Sequence, residues 1–246
     1  MLVLGNDYKH PAITAKEAAT VDLLSDGRLE FGLGAGWMKA DYATLGLAYD
    51  PPGVRIDRLD EALRIIKGAW GGGPFDHEGK HYTVRAYDGM PKPVQRPRPP
   101  IVVGGGGPRL LRLAGREADI VGINPNLRAG AITGDSVQTS LAAETRKKLE
   151  WVREGAGPRF DDLELQVRYF IAAITDDARG VADAVAEYAG TTTDEALASA
   201  VALIGTVDAV CDTLIQRREE WGVSYVVLGH DTFEAFAPVV ARLAGT

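Results

Sequence analysis

The run Pro100-Ile101-Val102-Val103-Gly104-Gly105-Gly106-Gly107-Pro108-Arg109 constrains this chain more than any other stretch. Ile101 to Val103 reads as a buried strand, and the segment from Pro108 through Leu110-Leu111-Arg112-Leu113-Ala114 reads as a helix. Proline suits a first helical turn, where the N–H it lacks would have no intrahelical acceptor. A strand that runs through glycines into a helix aims free backbone N–H groups and the positive end of a helix dipole at one place. That geometry suits a phosphate, and it serves equally as a tight turn with no ligand.

The rest of the chain repeats the alternation. Met1-Leu2-Val3-Leu4-Gly5 reads as the last residues of a strand. Ala12 to Leu24 reads as an alanine-rich helix ending at Ser25-Asp26-Gly27, and Leu29 to Gly34 as a strand closing in Ala35-Gly36-Trp37. Asp41 to Gly53 has loop composition. Ile56, Leu59, Leu63 and Ile66 mark one face of a helix from Arg55 to Trp70. Phe75 to Val84 reads as a hairpin, and a proline-rich passage from Pro91 leads to the glycine turn.

Ile120 to Ile123 is the next strand, followed by a glycine-containing loop at 126–135 and a polar helix from Ser136 to Arg153 with Leu141, Leu149 and Val152 on its buried side. Leu163 to Ile174 reads as one long strand, and Val181 to Tyr188 and Asp194 to Leu203 as helices. Val207, Val210, Cys211, Leu214 and Ile215 mark the apolar face of a helix over 206–221. Val223 to Leu228 forms a last strand, and Thr232 to Leu243 a closing helix with Phe233, Phe236 and Val240 inward. Strands alternating with helices call for a parallel sheet covered by helices.

Composition excludes several classes. A net charge of -7, with basic residues scattered along the chain, argues against a nucleic-acid footprint. Cys211 is the only cysteine, which rules out an intramolecular disulfide or a thiolate zinc cluster and fits a reducing cytosol; it reads as a small core residue. No apolar run reaches the length of a membrane span, and the first residues lack signal-peptide zones, so the chain is expected to be cytoplasmic. His77 and His81 fall in a hairpin with no carboxylate or cysteine cluster to complete a metal site, so no metal is expected. Gly-x-Ser-x-Gly is absent. Gly32-x-Gly34-x-Gly36 is half of a dinucleotide fingerprint, but no helix is expected to follow directly.

Taken together, His10-Pro11, Ala18 to Arg28, the strand running to Gly34-Ala35-Gly36-Trp37, the Gly104 to Pro108 run, Ala118-Asp119 and Leu203-Ile204-Gly205-Thr206 resemble the luciferase-like monooxygenase superfamily of flavin and deazaflavin oxidoreductases. The closest likeness is to the actinobacterial branch that uses coenzyme F420. The resemblance spans essentially the whole chain. It implies a TIM (β/α)8 barrel in which Ile101 to Val103 is the fifth strand and residues of about 41–99 form an insertion after the fourth.

The resemblance also implies a set of site residues. Gly105, Gly106 and Gly107 would offer N–H groups to the phosphate of F420, or alternatively of FMN. Leu2, Val3, Ala35 and Gly36 would complete the cofactor site, with Leu2-Val3 matching a bulge where the family carries a non-proline cis bond. Trp37 and Asn124 would line the pocket for a small organic substrate. Several deazaflavin enzymes place an acidic proton donor where this chain has Trp37, whose indole cannot exchange a proton, so no catalytic residue is assigned. The family's first two βα units and most of its third strand have no counterpart, roughly 60 to 80 residues by the usual size of such barrels. Met1 is therefore read as an internal methionine of a longer reading frame. A homodimeric oxidoreductase is expected, with an FMN-dependent monooxygenase and a non-catalytic truncated barrel or subunit as the alternatives.

Overall fold

The computed structural model describes residues 3–245. In chain order the elements are β1 (Leu4–Gly5), α1 (Pro11–Leu24), β2 (Phe31–Gly34), α2 (Lys39–Leu45), α3 (Pro52–Trp70), β3 (Phe75–Glu78), β4 (Thr83–Tyr87), β5 (Ile101–Gly105), α4 (Pro108–Glu117) and β6 (Ile120–Ile123). Then come α5 (Gly134–Gln138), α6 (Ala142–Ala156), β7 (Glu164–Arg168), β8 (Ile171–Ile174), α7 (Ala178–Ala189), α8 (Thr193–Leu197), β9 (Ala202–Gly205), α9 (Val207–Trp221), β10 (Val223–Val227) and α10 (Ala237–Leu243). None of these helices is long and apolar enough to cross a membrane.

Six strands form one parallel sheet in the order β1-β2-β5-β6-β7-β10. Leu4 lies opposite Leu33, Phe31 opposite Ile101, Val102 opposite Ile120 and Val121 opposite Leu165. Parallel neighbours need a crossover, and helices supply most of these, so helices cover one side of the sheet. Alternation along the strands then sorts the side chains. Phe31, Leu33, Ile101, Val103, Val121, Ile123, Leu165 and Val167 all join one buried cluster with Ala15, Ala18 and Ala19 of α1, Leu59, Leu63 and Ile66 of α3, and Leu111 and Ala114 of α4. Each large side chain so buried contributes about 1.5–3 kcal/mol. The alternate positions face inward: Val102 and Ile120 are buried there as well, and Gly104, Gly122 and Gln166 lie against one another. A cavity of about 330 Å³ on this inner side, toward the N-terminal ends of the strands, is lined by Glu30, Val102, Gln166 and Tyr225 among others. Tyr225 there donates to Glu30 at 2.8 Å, and burial first, then that carboxylate, pushes its phenol up to about 12.

Helix α1 lies close to the sheet because its inward residues are small. The large ones point away, leaving Ile13, Val21 and Leu24 exposed at 54, 50 and 81%. Asp22, fully buried near the end of this helix, accepts from the backbone N–H of Val94 (2.7 Å) and Gln95 (3.0 Å) and from the Gln95 amide (2.7 Å). This ties the proline-rich passage down beside β5.

Several expectations need correction. Residues 41–53, expected as loop, contain most of α2, which buries Tyr42 and stops at Gly46 in the left-handed conformation. The single helix expected over 136–153 is two, α5 and α6, because Ser140 and Leu141 turn the chain between them. The long strand over 163–174 divides at Tyr169-Phe170: β7 pairs with β6 and β10, while β8 pairs with β9. Residues 202–203, expected at the end of a helix, begin strand β9, because pairing with β8 overrides the helical preference of an alanine-rich stretch. The closing helix starts at Ala237, with only Phe236 and Val239 buried there, and Phe233 and Val240 are exposed. His77 Nε2 lies 3.5 Å from Glu61 Oε2, whose carboxylate accepts the N–H groups of Lys80, His81 and Tyr82, so this hairpin docks on α3.

Burial alone would raise the Asp22 carboxyl, but its hydrogen bonds outweigh that and hold it below 3.8. Asp22→Ala should cost about 3 kcal/mol in urea unfolding at pH 7, since it strands buried donors. Because the folded value is the lower one, this contribution is present above pH 3.8 and is lost as pH falls through the folded value, so mutant and wild-type stabilities should converge in acid.

Candidate functional site

Parallel strands bring their C-terminal ends to one edge, and ligands in such sheets bind there. At that edge β5 ends in Gly104-Gly105 and passes through Gly106 and Gly107 into α4. Gly107 is the N-cap, no side chain caps the helix, and Pro108 occupies its first turn. The first-turn N–H groups therefore have no intrahelical or side-chain acceptor. A side chain at Gly106 would run into Pro125 O at 2.2 Å, whereas one at Gly107 would meet nothing within 4 Å. Backbone thus closes one side of the turn and open space lies on the other. That open side, with uncapped amides beside it, fits an anionic group.

The neighbouring strand ends bring in the other expected residues. The Asn124 amide packs on Gly104, 2.6 Å from where a Cβ would stand, and Asn124 N–H donates to Gly105 O at 2.9 Å. Val3 lies beside Gly34 at the end of β2. Leu2, and with it the Leu2-Val3 bond, lies outside the described residues. Ala35 is buried, and Gly36 sits at φ +74, where the Tyr42 hydroxyl leaves no room for a side chain. Trp37 is half-buried, and its carbonyl accepts from the Tyr49 hydroxyl at 2.8 Å. Val3, Ala35, Gly36, Trp37, Gly105, Gly106, Gly107 and Asn124 therefore share one end of the sheet.

A polar network fixes the Ala35-Gly36-Trp37 backbone. Arg55 is buried on α3 and donates to the carbonyls of Ala35 (3.3 Å) and Gly36, with its guanidinium 4.3 Å from the Tyr49 ring centroid. Planar guanidinium donors and ring stacking suit this position in a way a lysine would not. Tyr42 donates to Asp7 Oδ2 at 2.9 Å, and Arg58 bridges Asp7 and Asp50 at 2.9 and 2.7 Å. Burial, then the Asp7 charge, raises the Tyr42 phenol, so it keeps its proton and remains a donor. The other Asp7 oxygen, Oδ1, is buried without a partner. Sequence patterns do not mark Asp7, Tyr42, Arg55 or Arg58 as a group, because the partners lie 19 to 51 positions apart.

From β6 the chain does not leave this edge at once. Gly106 abuts Pro125 and Asn126, and Gly130 O accepts from Lys39 N–H at 3.1 Å, beyond Trp37. Since β5 lies between β2 and β6, residues 124–130 cross its end. Lys148 of α6 anchors their start: it is 2% exposed, and its ammonium donates to the carbonyls of Asn124 (2.7 Å) and Thr139 (2.5 Å).

The fold and the turn define a parallel α/β protein with an uncapped, glycine-lined helix N-terminus at the end of a central strand. Its family is specific: the chain belongs to the luciferase-like monooxygenase family, whose model matches residues 5–225. It is 33% identical over 180 residues to an F420-dependent glucose-6-phosphate dehydrogenase of Nakamurella multipartita, covering 71% of this chain and 48% of that protein. It is 34% identical over 116 residues to an FMNH2-dependent dimethylsulfone monooxygenase of Pseudomonas putida, covering 47% of this chain and 32% of that one. The chain thus spans a third to a half of the length of these curated relatives. Among solved structures, the coenzyme F420-dependent tetrahydromethanopterin reductase of Methanopyrus kandleri superposes with TM-score 0.75 at 22% identity, over 98% of this chain and 80% of that one. The EDTA monooxygenase of Chelativorans gives 0.74 at 19%, over 98% and 73%. The fold is the luciferase-like α/β fold, with a parallel sheet and helices of the TIM-barrel type.

The turn's asymmetry is testable without a ligand. Gly106→Ala should destabilise the protein by about 1–3 kcal/mol, because the obstacle is backbone. Gly107→Ala should cost less than about 1 kcal/mol, the difference between glycine and alanine at an N-cap. Thermal unfolding of the two variants reads this directly, and equal losses would contradict the described packing.

Proposed function

We propose that this chain is the greater part of a luciferase-like oxidoreductase that moves a hydride between coenzyme F420 and a small organic substrate. The observation that carries this reading is the turn at 104–107, with its uncapped helix and open side at the ligand-binding edge of the sheet. Gly105, Gly106 and Gly107 hold the cofactor phosphate through backbone N–H groups. Val3, Ala35 and Gly36, with Leu2 beside them in sequence, border its ring. Trp37 walls the substrate pocket, and the Asn124 amide offers it a hydrogen bond. When bound, a deazaflavin supplies the hydride-transfer chemistry. The protein orients it and keeps water out.

The proposal extends to the fold. The chain is a single partial barrel over 1–246, with residues of about 41–99 inserted after the fourth strand. Edge strand β1 is the end of a third barrel strand and β10 is the eighth, so the first two βα units and most of the third strand lie outside this sequence. Coverage of the solved structures supports this, since 98% of the chain accounts for only 73 to 80% of theirs. The working enzyme is a homodimer, with exposed Ile13, Val21 and Leu24 on α1 as apolar area available to the contact.

An FMN-dependent monooxygenase is the second reading, favoured by the likeness to the dimethylsulfone monooxygenase. Fluorescence titration of the purified chain with F420 and with FMN separates the two. Submicromolar binding of F420 is the expected result. FMN binding with oxygen consumption would move the chain to the monooxygenase side, and binding of neither would leave a non-catalytic barrel or subunit.

A further inference from the structure

Lys148 is buried on the side of α6 where only Leu and Val are expected, and among the described residues no carboxylate pairs with it. Its two acceptors, the carbonyls of Asn124 and Thr139, stand at the two ends of the segment that crosses the glycine turn. Thr139 Oγ1 also accepts from Asn126 N–H at 2.8 Å, so both ends meet at one point. From that point the segment reaches Lys39, beyond Trp37, through the carbonyl of Gly130. We propose that Lys148 is a positioning residue that holds residues 124–139 as a strap across the glycine turn, and that release of the strap frees the side closed by Pro125 and so admits the remainder of a phosphate-bearing ligand. The ligand half of this rests on the phosphate reading above; the strap half does not.

The chemistry of the anchor sets a direction for pH. Burial without a counter-ion lowers the Lys148 ammonium from 10.5 to about 8. The charged group that acts on it is Glu144 one turn earlier on α6, which raises it and is itself held by Lys147 at 2.5 Å. A released strap opens the amine to water, where it regains its ordinary value. Between pH 8 and 10.5 the held state therefore binds fewer protons than the released one, and raising the pH favours holding by up to tenfold per unit. Below pH 8 both states are protonated and the balance is flat.

Rapid-mixing hydrogen exchange on the chain without cofactor, expressed as protection factors, tests this at the Asn126 and Lys39 amides. Wild type should show a nearly flat profile below pH 8 and a rise of about fivefold between pH 8 and 9. Lys148→Met, which carries no proton, and Lys148→Arg, which stays charged, should both lose the rise. A flat wild-type profile, or a rise that survives in either variant, overturns the strap anchor. FMN is then titrated across the same range. Affinity that falls as protection rises supports gating of the ligand, and affinity that is indifferent to the step or rises with it overturns that half. Failure to bind FMN at any pH, with the exchange step intact, overturns the phosphate reading while the anchor stands.

Discussion

The unequal use of the two faces of the parallel sheet governs the rest of this structure. Phe31, Leu33, Ile101, Val103, Val121, Ile123, Leu165 and Val167 all face the helices, so most of the large apolar side chains are used on the outside. Hydrophobic stabilisation is concentrated in that layer. The inner face carries fewer large side chains, with Val102 and Ile120 buried there among glycines and Gln166. A one-residue slip of any strand would exchange the two sets, so the register is strongly specified. The same register carries Gly104 to Gly107 to the edge where the strand ends converge.

At that edge the backbone does most of the positioning, and side chains hold the backbone. Arg55 and Tyr49 fix Ala35-Gly36-Trp37 from α3 and the loop before it, while Lys148 fixes Asn124 from α6. Arg55 and Lys148 bond to carbonyl oxygens, and among the described residues Lys148 has no carboxylate partner. Carbonyl acceptors satisfy donors in the interior but do not neutralise their charge, which is why burial moves the Lys148 amine so far. Exposed ion pairs such as Lys9–Glu17 contribute far less to stability.

Legibility in the sequence followed how local each signal is. β5, the glycine turn and α4 are marked by consecutive residues, and the structure follows them closely. Helix α3 and helix α9 announce themselves by apolar spacing. Strand β9 does not, because Ala202 and Leu203 continue an alanine-rich stretch of helical composition and Ala202 to Gly205 is extended through pairing with Ile171 to Ile174. Helix α2 is seven residues long and owes its place to one buried tyrosine and a left-handed glycine. Lys148 reads as part of the solvated run Arg146-Lys147-Lys148, and only the fold shows which of the three turns inward. The resemblance named the candidate site's residues, whereas the groups that brace that end of the sheet, Asp7, Tyr42, Arg55 and Arg58, come together only in three dimensions.

The clasp between Asp22 and residues 94–95 spans 72 to 73 positions of the chain. Helices α2 and α3 and the β3–β4 hairpin hang from it as one closed excursion that leaves the sheet after β2 and returns at β5. The entropy of closing such an excursion grows only with the logarithm of its length, about 0.6 kcal/mol for each doubling. Changes in the length of its exposed turns therefore weigh little on the sheet, provided both ends still meet at that carboxylate and α3 keeps Leu59, Leu63 and Ile66 in the core. Those turns are accordingly open to evolutionary change in size, and a pocket at the strand ends can be reshaped through them while β2 and β5 stay side by side.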